Sequence, residues 1–272
     1  MSKELIKIDC FIVGSMKSGT TLLSNYLNQN PKIKINDGDS HLFLNENSNN
    51  TVSKKINSIY SSNSYNIDKS ASYSLLLKDY GRIFSHNNNA KFIWILREPI
   101  KRAFSNYVHA INRGLESRTF IQCFRDDLKT KNTNCTTNYF HRSKYENQIK
   151  NLLNHVHEDK ILFIVFEDFI KDPKTTLNNI YKFIGLKKYT HSLNLDEKKK
   201  NTTFTSRFHS FYPIIKFLFG RRIVLLLNSK LHFNNRLKIN INKDDKIKLK
   251  KYYFRDKEFL KNQLKLDIDK WN

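Results

Sequence analysis

Gly14-Ser15-Met16-Lys17-Ser18-Gly19-Thr20-Thr21 constrains this chain more than any other segment. It lies between a short apolar run, Phe11-Ile12-Val13, and a stretch in which Leu22, Leu23, Tyr26 and Leu27 recur at helical spacing. The predicted order is strand, tight loop, helix. In that order the loop N–H groups and the positive end of the helix dipole converge on one point, which suits an anion such as a phosphate. A glycine-containing turn with an exposed lysine is the plainer alternative, but it leaves the order of the elements unexplained. The commonest nucleotide loop needs Gly-Lys-Ser/Thr, whereas Lys17 precedes Ser18-Gly19. That order, with no obvious magnesium-binding pair, argues against a P-loop kinase using ATP.

Two more strand-length apolar runs follow. Phe92 to Leu96 leads into Arg97-Glu98-Pro99, where the proline suits the first turn of a helix running to about Gly114. Ile161 to Phe166 is the third, and Pro173 then opens a segment with Leu177, Ile180, Tyr181 and Ile184 on one face, which Gly185 stops. From about Asp244 the chain is rich in Lys, with Leu249, Tyr252, Tyr253, Leu260, Leu264 and Leu266 spaced for helices. Apolar strands alternating with amphipathic helices predict an α/β fold, P-loop-like, with a central parallel β-sheet flanked by helices.

The 272 residues suffice for a sizeable core and are read as a single domain, 1–272, because no stretch rich in Pro, Gly and Ser marks a linker. The Asn- and Ser-rich segment 45–66 reads as a surface excursion. A formal charge of +23 draws the chain toward anionic partners: nucleic acid, an anionic membrane surface or acidic small substrates. Lys is spread along the whole chain beside abundant Asn and Ile, so compositional bias accounts for the charge as well as a dedicated patch does. A nucleic-acid- or membrane-binding protein without catalysis would leave Lys17 and Arg97 unexplained, and no specific nucleic acid is expected.

Cys10, Cys123 and Cys135 are odd in number and lack metal-ligand spacing. Neither a disulfide framework nor a metal site is expected, which favours a reducing, cytoplasmic setting. The apolar strand begins too early for a secretory leader. Residues 214–227 form the most apolar stretch but carry Lys216, Arg221 and Arg222, so they do not suit a membrane span. They suit either a buried core helix or a peripheral membrane contact through Phe217, Leu218 and Phe219.

The loop Lys17-Ser18-Gly19-Thr20-Thr21 resembles the 5′-phosphosulfate loop, Lys-x-Gly-Thr-Thr after the first strand, of sulfotransferases that use 3′-phosphoadenosine 5′-phosphosulfate (PAPS). The segment Arg97 to Tyr107 resembles the same family's 3′-phosphate motif, a strand-end Arg with a Ser eight residues on, at Ser105. Together they would hold the two ends of one nucleotide. The resemblance implies sulfuryl transfer from PAPS with release of PAP (adenosine 3′,5′-bisphosphate). Lys17, Ser18, Gly19, Thr20 and Thr21 would hold the 5′-phosphosulfate, and Lys17 would also neutralise charge on the bridging oxygen. Arg97 and Ser105 would bind the 3′-phosphate. Weaker similarities run through Lys69-Ser70-Ala71-Ser72-Tyr73, where the family usually has a proline at the third place, then Tyr139 to Leu152, Phe166-Glu167-Asp168, Phe183 to Leu186 and the tail around Trp271.

On the acceptor side, carbohydrate-type members carry a glutamate in a Lys-Glu-x-x-Phe-Phe context, placed to take the acceptor's proton. The corresponding stretch is Gly38-Asp39-Ser40-His41-Leu42-Phe43, in which Asp39 takes the acidic position. His41 is the competing base, because an imidazole titrates near neutrality. The tail and the acidic candidate suggest a saccharide or glycoconjugate hydroxyl as acceptor. His109 and Glu116 read as structural or solvated.

Overall fold

The computed structural model describes residues 6–44, 49–113, 115–129, 137–187 and 241–271. Among these residues there are five strands, β1 (Cys10–Gly14), β2 (Ile33–Ile35), β3 (Tyr65–Lys69), β4 (Lys91–Leu96) and β5 (Ile161–Val165). They form one sheet in the order β2-β3-β1-β4-β5, and every pairing is parallel. The expected central parallel sheet flanked by helices is therefore present. All five strands belong to a compact unit made from the described residues of Met1–Arg97 and Glu146–Lys198, which also holds the helices α3 (Tyr73–Leu76), α4 (Gly81–His86) and α7 (Glu146–Leu153).

Strand alternation explains how this unit covers its sheet. Cys10, Ile12, Ile67, Ile93, Ile95 and Ile164 pack with Leu23, Tyr26 and Leu27 of α1 (Thr20–Leu27). The same cluster takes Phe169 of α8 (Phe166–Lys171) and Leu177, Ile180, Tyr181 and Ile184 of α9 (Pro173–Ile184). The intervening residues point the other way. Phe11 lies 5.6 Å from Phe43 and 5.7 Å from Phe92 between ring centres, and Phe92 meets Tyr80 and Phe84. Each apolar side chain fully buried in this way contributes about 1.5–3 kcal/mol. Gly185 ends α9 in the left-handed conformation, φ 78°, as its place in the sequence predicts.

Segment 45–66 departs from the expected surface excursion. Helix α2 spans Asn49–Ile59, and Val52, Ile56 and Tyr60 are buried; β3 then starts at Tyr65. The sparse apolar residues of this Asn-rich stretch sit at helical spacing, so they make an inward face despite the polar composition. Strand β3 is interior yet carries Asn66, Asp68 and Lys69, all buried. Each side chain has a partner: the Asn66 amide donates to Lys7 O and Ser61 O, both at 2.9 Å, Asp68 accepts from Tyr60 and Tyr73, and Lys69 pairs with Asp39.

The described residues of Glu98–Tyr145 and Lys199–Asn272 form a second compact unit. It contains α5 (Pro99–Asn112), α6 (Phe120–Lys129), α10 (Lys243–Tyr252) and α11 (Phe254–Asn262). Helix α5 starts at Pro99, and the Glu98 carboxylate caps it by accepting from Ile100 N–H at 3.1 Å and Lys101 N–H at 2.6 Å. Ala103, Tyr107, Ile111, Phe120, Phe124, Phe140, Leu249 and Tyr253 make its core.

Glu116 of this unit is structural. It accepts from the Arg118 guanidinium at 2.8 and 3.0 Å and from Tyr139 Oη at 3.0 Å. Burial alone would raise its carboxyl, but the Arg118 hydrogen bonds and charge prevail and hold it at about 2. A carboxyl depressed in the folded state adds stability that is complete above its unfolded value and is lost as pH falls through the folded one. Glu116→Gln is therefore expected to lower Tm at neutral pH and to flatten its fall between about pH 4.5 and about pH 2, read by calorimetry. Equal acid melting profiles for the two proteins would remove Glu116 from this role.

Residues 214–227 and Cys135 lie outside the described residues. Cys10 and Cys123 are buried free thiols. Among the described residues no helix is long and apolar enough to cross a membrane.

Candidate functional site

The carboxyl ends of parallel strands are where an α/β sheet gathers chemistry, because the loops there open onto helix N-termini. Residues 14–19 leave the carboxyl end of the middle strand, β1. Ser15 N–H donates to Ile95 O at 2.8 Å, and Trp94 Nε1–H donates to Ser15 Oγ at 2.9 Å, so the loop starts pinned to β4. Ser18 N–H then closes a turn on Ser15 O at 3.1 Å. Lys17 and Gly19 adopt left-handed backbone, φ 71° and 91°. Gly19 is required twice over, since a Cβ there would also lie 2.8 Å from the Phe166 ring.

Gly19 is the N-cap of α1 and offers no side chain to its first turn. Thr20 is buried and Thr21 exposed at the start of that helix. Ser18 Oγ is fully buried and has no hydrogen-bond partner among the described residues. Buried hydroxyls are rarely left so, and one in a loop that leads into a helix N-terminus suits a ligand oxygen.

Arg97 follows the last residue of β4. Its Nη1 donates to Lys17 O at 2.9 Å, and its guanidinium lies 4.7 Å from the centre of the Phe166 ring. The arginine is thereby tied to the loop, and its planar fork is held against an aromatic face. Ser105, on α5, is buried in the second unit.

On the other flank the chain leaves β2 and passes through Asn36 to Phe43. Asp39 pairs with the buried Lys69 Nζ at 3.3 Å and accepts from Ala71 N–H at 3.3 Å. His41 has φ 52°; its N–H donates to Ser70 Oγ at 3.1 Å, and its Nδ1 lies 3.2 Å from the same hydroxyl. Both candidate bases are thus held against Lys69 and Ser70, at the carboxyl end of β3. Sequence reasoning missed these two partners: it noted the segment 69–73 but gave it no role. The available signal was the charged pair Asp68-Lys69 on a strand carrying Ile67.

A tight loop between the first strand and first helix, on an all-parallel sheet, defines a P-loop-like α/β protein. The chain belongs to the sulfotransferase domain family, whose profile matches residues 7–211. Human heparan sulfate glucosamine 3-O-sulfotransferases 3B1 and 3A1 are each 22% identical over 188 residues, 69% of this chain and 48% and 46% of theirs. The chain thus spans about half the length of these curated relatives. A sulfotransferase from Alicyclobacillus acidocaldarius shares the fold with a TM-score of 0.72 at 18% identity, covering 98% of this chain and 99% of the other. Mouse sulfotransferase SULT7A1 complexed with PAP superposes with a TM-score of 0.56 at 16% identity, covering 94% and 84%.

Proposed function

We propose that this chain transfers a sulfuryl group from PAPS to a hydroxyl of a saccharide or glycoconjugate, releasing PAP. Family membership supports the reaction class, and the unsatisfied Ser18 hydroxyl within the loop is the observation that carries the donor assignment. The family profile runs through both units, and we take residues 1–272 as one domain. Relatives named for action on heparan sulfate favour a saccharide. A net charge of +23 suits an acidic one.

In this proposal the acceptor oxygen forms its bond to sulfur while the bond from sulfur to the bridging oxygen of the 5′-phosphate breaks. Negative charge grows on that bridging oxygen, where Lys17 and the amides of Ser18 to Thr21 stabilise the transition state more than the ground state. The acceptor proton passes to Asp39 or His41. Arg97 and Ser105 hold the 3′-phosphate; the assignment of Ser105 rests on the family resemblance alone.

The test is calorimetric titration with PAP and AMP, followed by PAP release from PAPS with heparan sulfate as acceptor. PAP is expected to bind at least tenfold more tightly than AMP, and Arg97→Ala to narrow the gap, since a charge-assisted hydrogen bond contributes about 1.5–3 kcal/mol. Equal affinities in the parent protein would overturn the donor assignment. No PAP release with heparan sulfate, alongside release with another acceptor, would overturn the saccharide.

A further inference from the structure

Beneath the acceptor flank lies a buried polar chain that the proposed chemistry does not use. Asp68 is fully buried on β3, and each of its carboxylate oxygens accepts a 2.7 Å hydrogen bond, Oδ1 from Tyr60 Oη and Oδ2 from Tyr73 Oη. A phenol has one proton. With the Tyr73 proton committed to Asp68, the Tyr73 oxygen can only accept, and two groups of the 36–43 segment reach it at 3.3 Å, Phe43 N–H and Ser40 Oγ.

Asn36 completes the frame. Its Oδ1 accepts from Lys69 N–H at 2.6 Å, and its Nδ2 donates to Lys69 O at 2.9 Å and Gly38 O at 3.0 Å. Ser40 N–H also donates to Lys69 O, at 3.1 Å.

We propose that Asp68 and Tyr73 are positioning residues that hold segment 36–43, and with it Asp39 and His41, in register with Lys69 and Ser70 at the end of β3. The proposal rests on the acceptor-side role given above to residues 39 and 41. Ionic and polar groups buried at this depth are costly unless fully partnered. Here the carboxylate fixes which way two hydroxyls point, and that polarity is what the backbone of Phe43 reads. The frame's hydrogen bonds run among Asn36, Tyr60, Asp68, Lys69 and Tyr73 and to segment 36–43, away from the loop at 14–19, so donor binding should be indifferent to it.

The experiment uses the full chain and two kinds of readout. Tyr73→Phe keeps the ring and removes the hydroxyl. Hydrogen exchange should then quicken about tenfold in peptides covering 36–44, the size expected for one lost buried hydrogen bond. Exchange in β4 and in residues 14–19 should stay as in the parent, with PAP affinity within about twofold. Turnover with heparan sulfate should fall about tenfold with the KM for PAPS unchanged, and the loss should vanish in whichever of Asp39→Asn and His41→Ala already lacks the base.

Asp68→Asn supplies the conservative control. One of its two polar atoms still accepts from Tyr73, while Tyr60 can turn its proton to Asn36 Oδ1, 3.3 Å away. Protection of 36–44 should therefore survive in Asp68→Asn and be lost in Asp68→Ala. Unchanged exchange at 36–44 in Tyr73→Phe, or an equal rise throughout the sheet, would overturn the proposal. So would a full further tenfold loss of turnover on adding Tyr73→Phe to whichever of Asp39→Asn and His41→Ala lacks the base. A parent protein that neither binds PAP nor consumes PAPS would overturn the proposed function instead, and the exchange comparison would still decide the tether.

Discussion

Lys17→Ala is expected to leave a folded protein whose turnover is reduced by about a hundredfold or more, the usual effect of removing one donor aimed at developing charge. Lys17 sits on a loop and not in a core, so Tm should stay close to the parental value. Its backbone carbonyl, which receives Arg97, survives the substitution, and the arginine should keep its place. PAP affinity should fall far less than turnover does, because the lysine contributes most while the bond to sulfur is breaking. Single-turnover measurements with saturating PAPS, beside calorimetric titration of PAP, separate the two effects. Parental turnover in the purified variant would remove Lys17 from the reaction.

Asp39→Asn should lower acceptor-saturated turnover by about a hundredfold to ten-thousandfold if Asp39 takes the acceptor's proton. PAP affinity should be nearly unchanged. The variant has a second consequence that follows from its partner. Lys69 is almost wholly buried, and losing the carboxylate leaves its ammonium without that ion pair, so Tm should fall as well. Asp39→Glu keeps the charge and lengthens the side chain by one methylene, and some activity should return. His41→Ala is the necessary companion, since Asp39 and His41 are held by adjacent residues at the end of β3, Lys69 and Ser70. Near-parental turnover in Asp39→Asn with loss in His41→Ala would assign the proton to the imidazole.

The donor flank was legible in the sequence because its elements are locally encoded. Cys10 to Gly14, Lys91 to Leu96 and Ile161 to Val165 are short apolar runs; the first two pass through loops to helices with their own start signals, Gly19 and Glu98-Pro99, and the third runs straight into α8, after which Asp172-Pro173 starts α9. The acceptor flank was not. Strand β2 has only three residues, and β3 alternates apolar with polar groups that face the interior. Their polar atoms are satisfied by side chains distant in sequence, such as Asn36 with Lys69 and Asp9 with Asn66. Periodicity cannot register such long-range pairs, so the region reads as polar surface. The candidate base Asp39 could be found by resemblance, but its buried cation could not, because Lys69 looks like one lysine among many.

The strand order carries one more implication. Strand β1 occupies the centre, with β4 and Arg97 on one side of it and β3 and β2, with Lys69 and Asp39, on the other. Under the proposed function, the groups that grip the nucleotide and those that meet the acceptor therefore hang from opposite halves of a single scaffold. Rewriting the turns after β2 and β3 can exchange one sugar for another without disturbing the grip on the nucleotide. Such an architecture lets a lineage diversify what it decorates while inheriting its sulfur source intact.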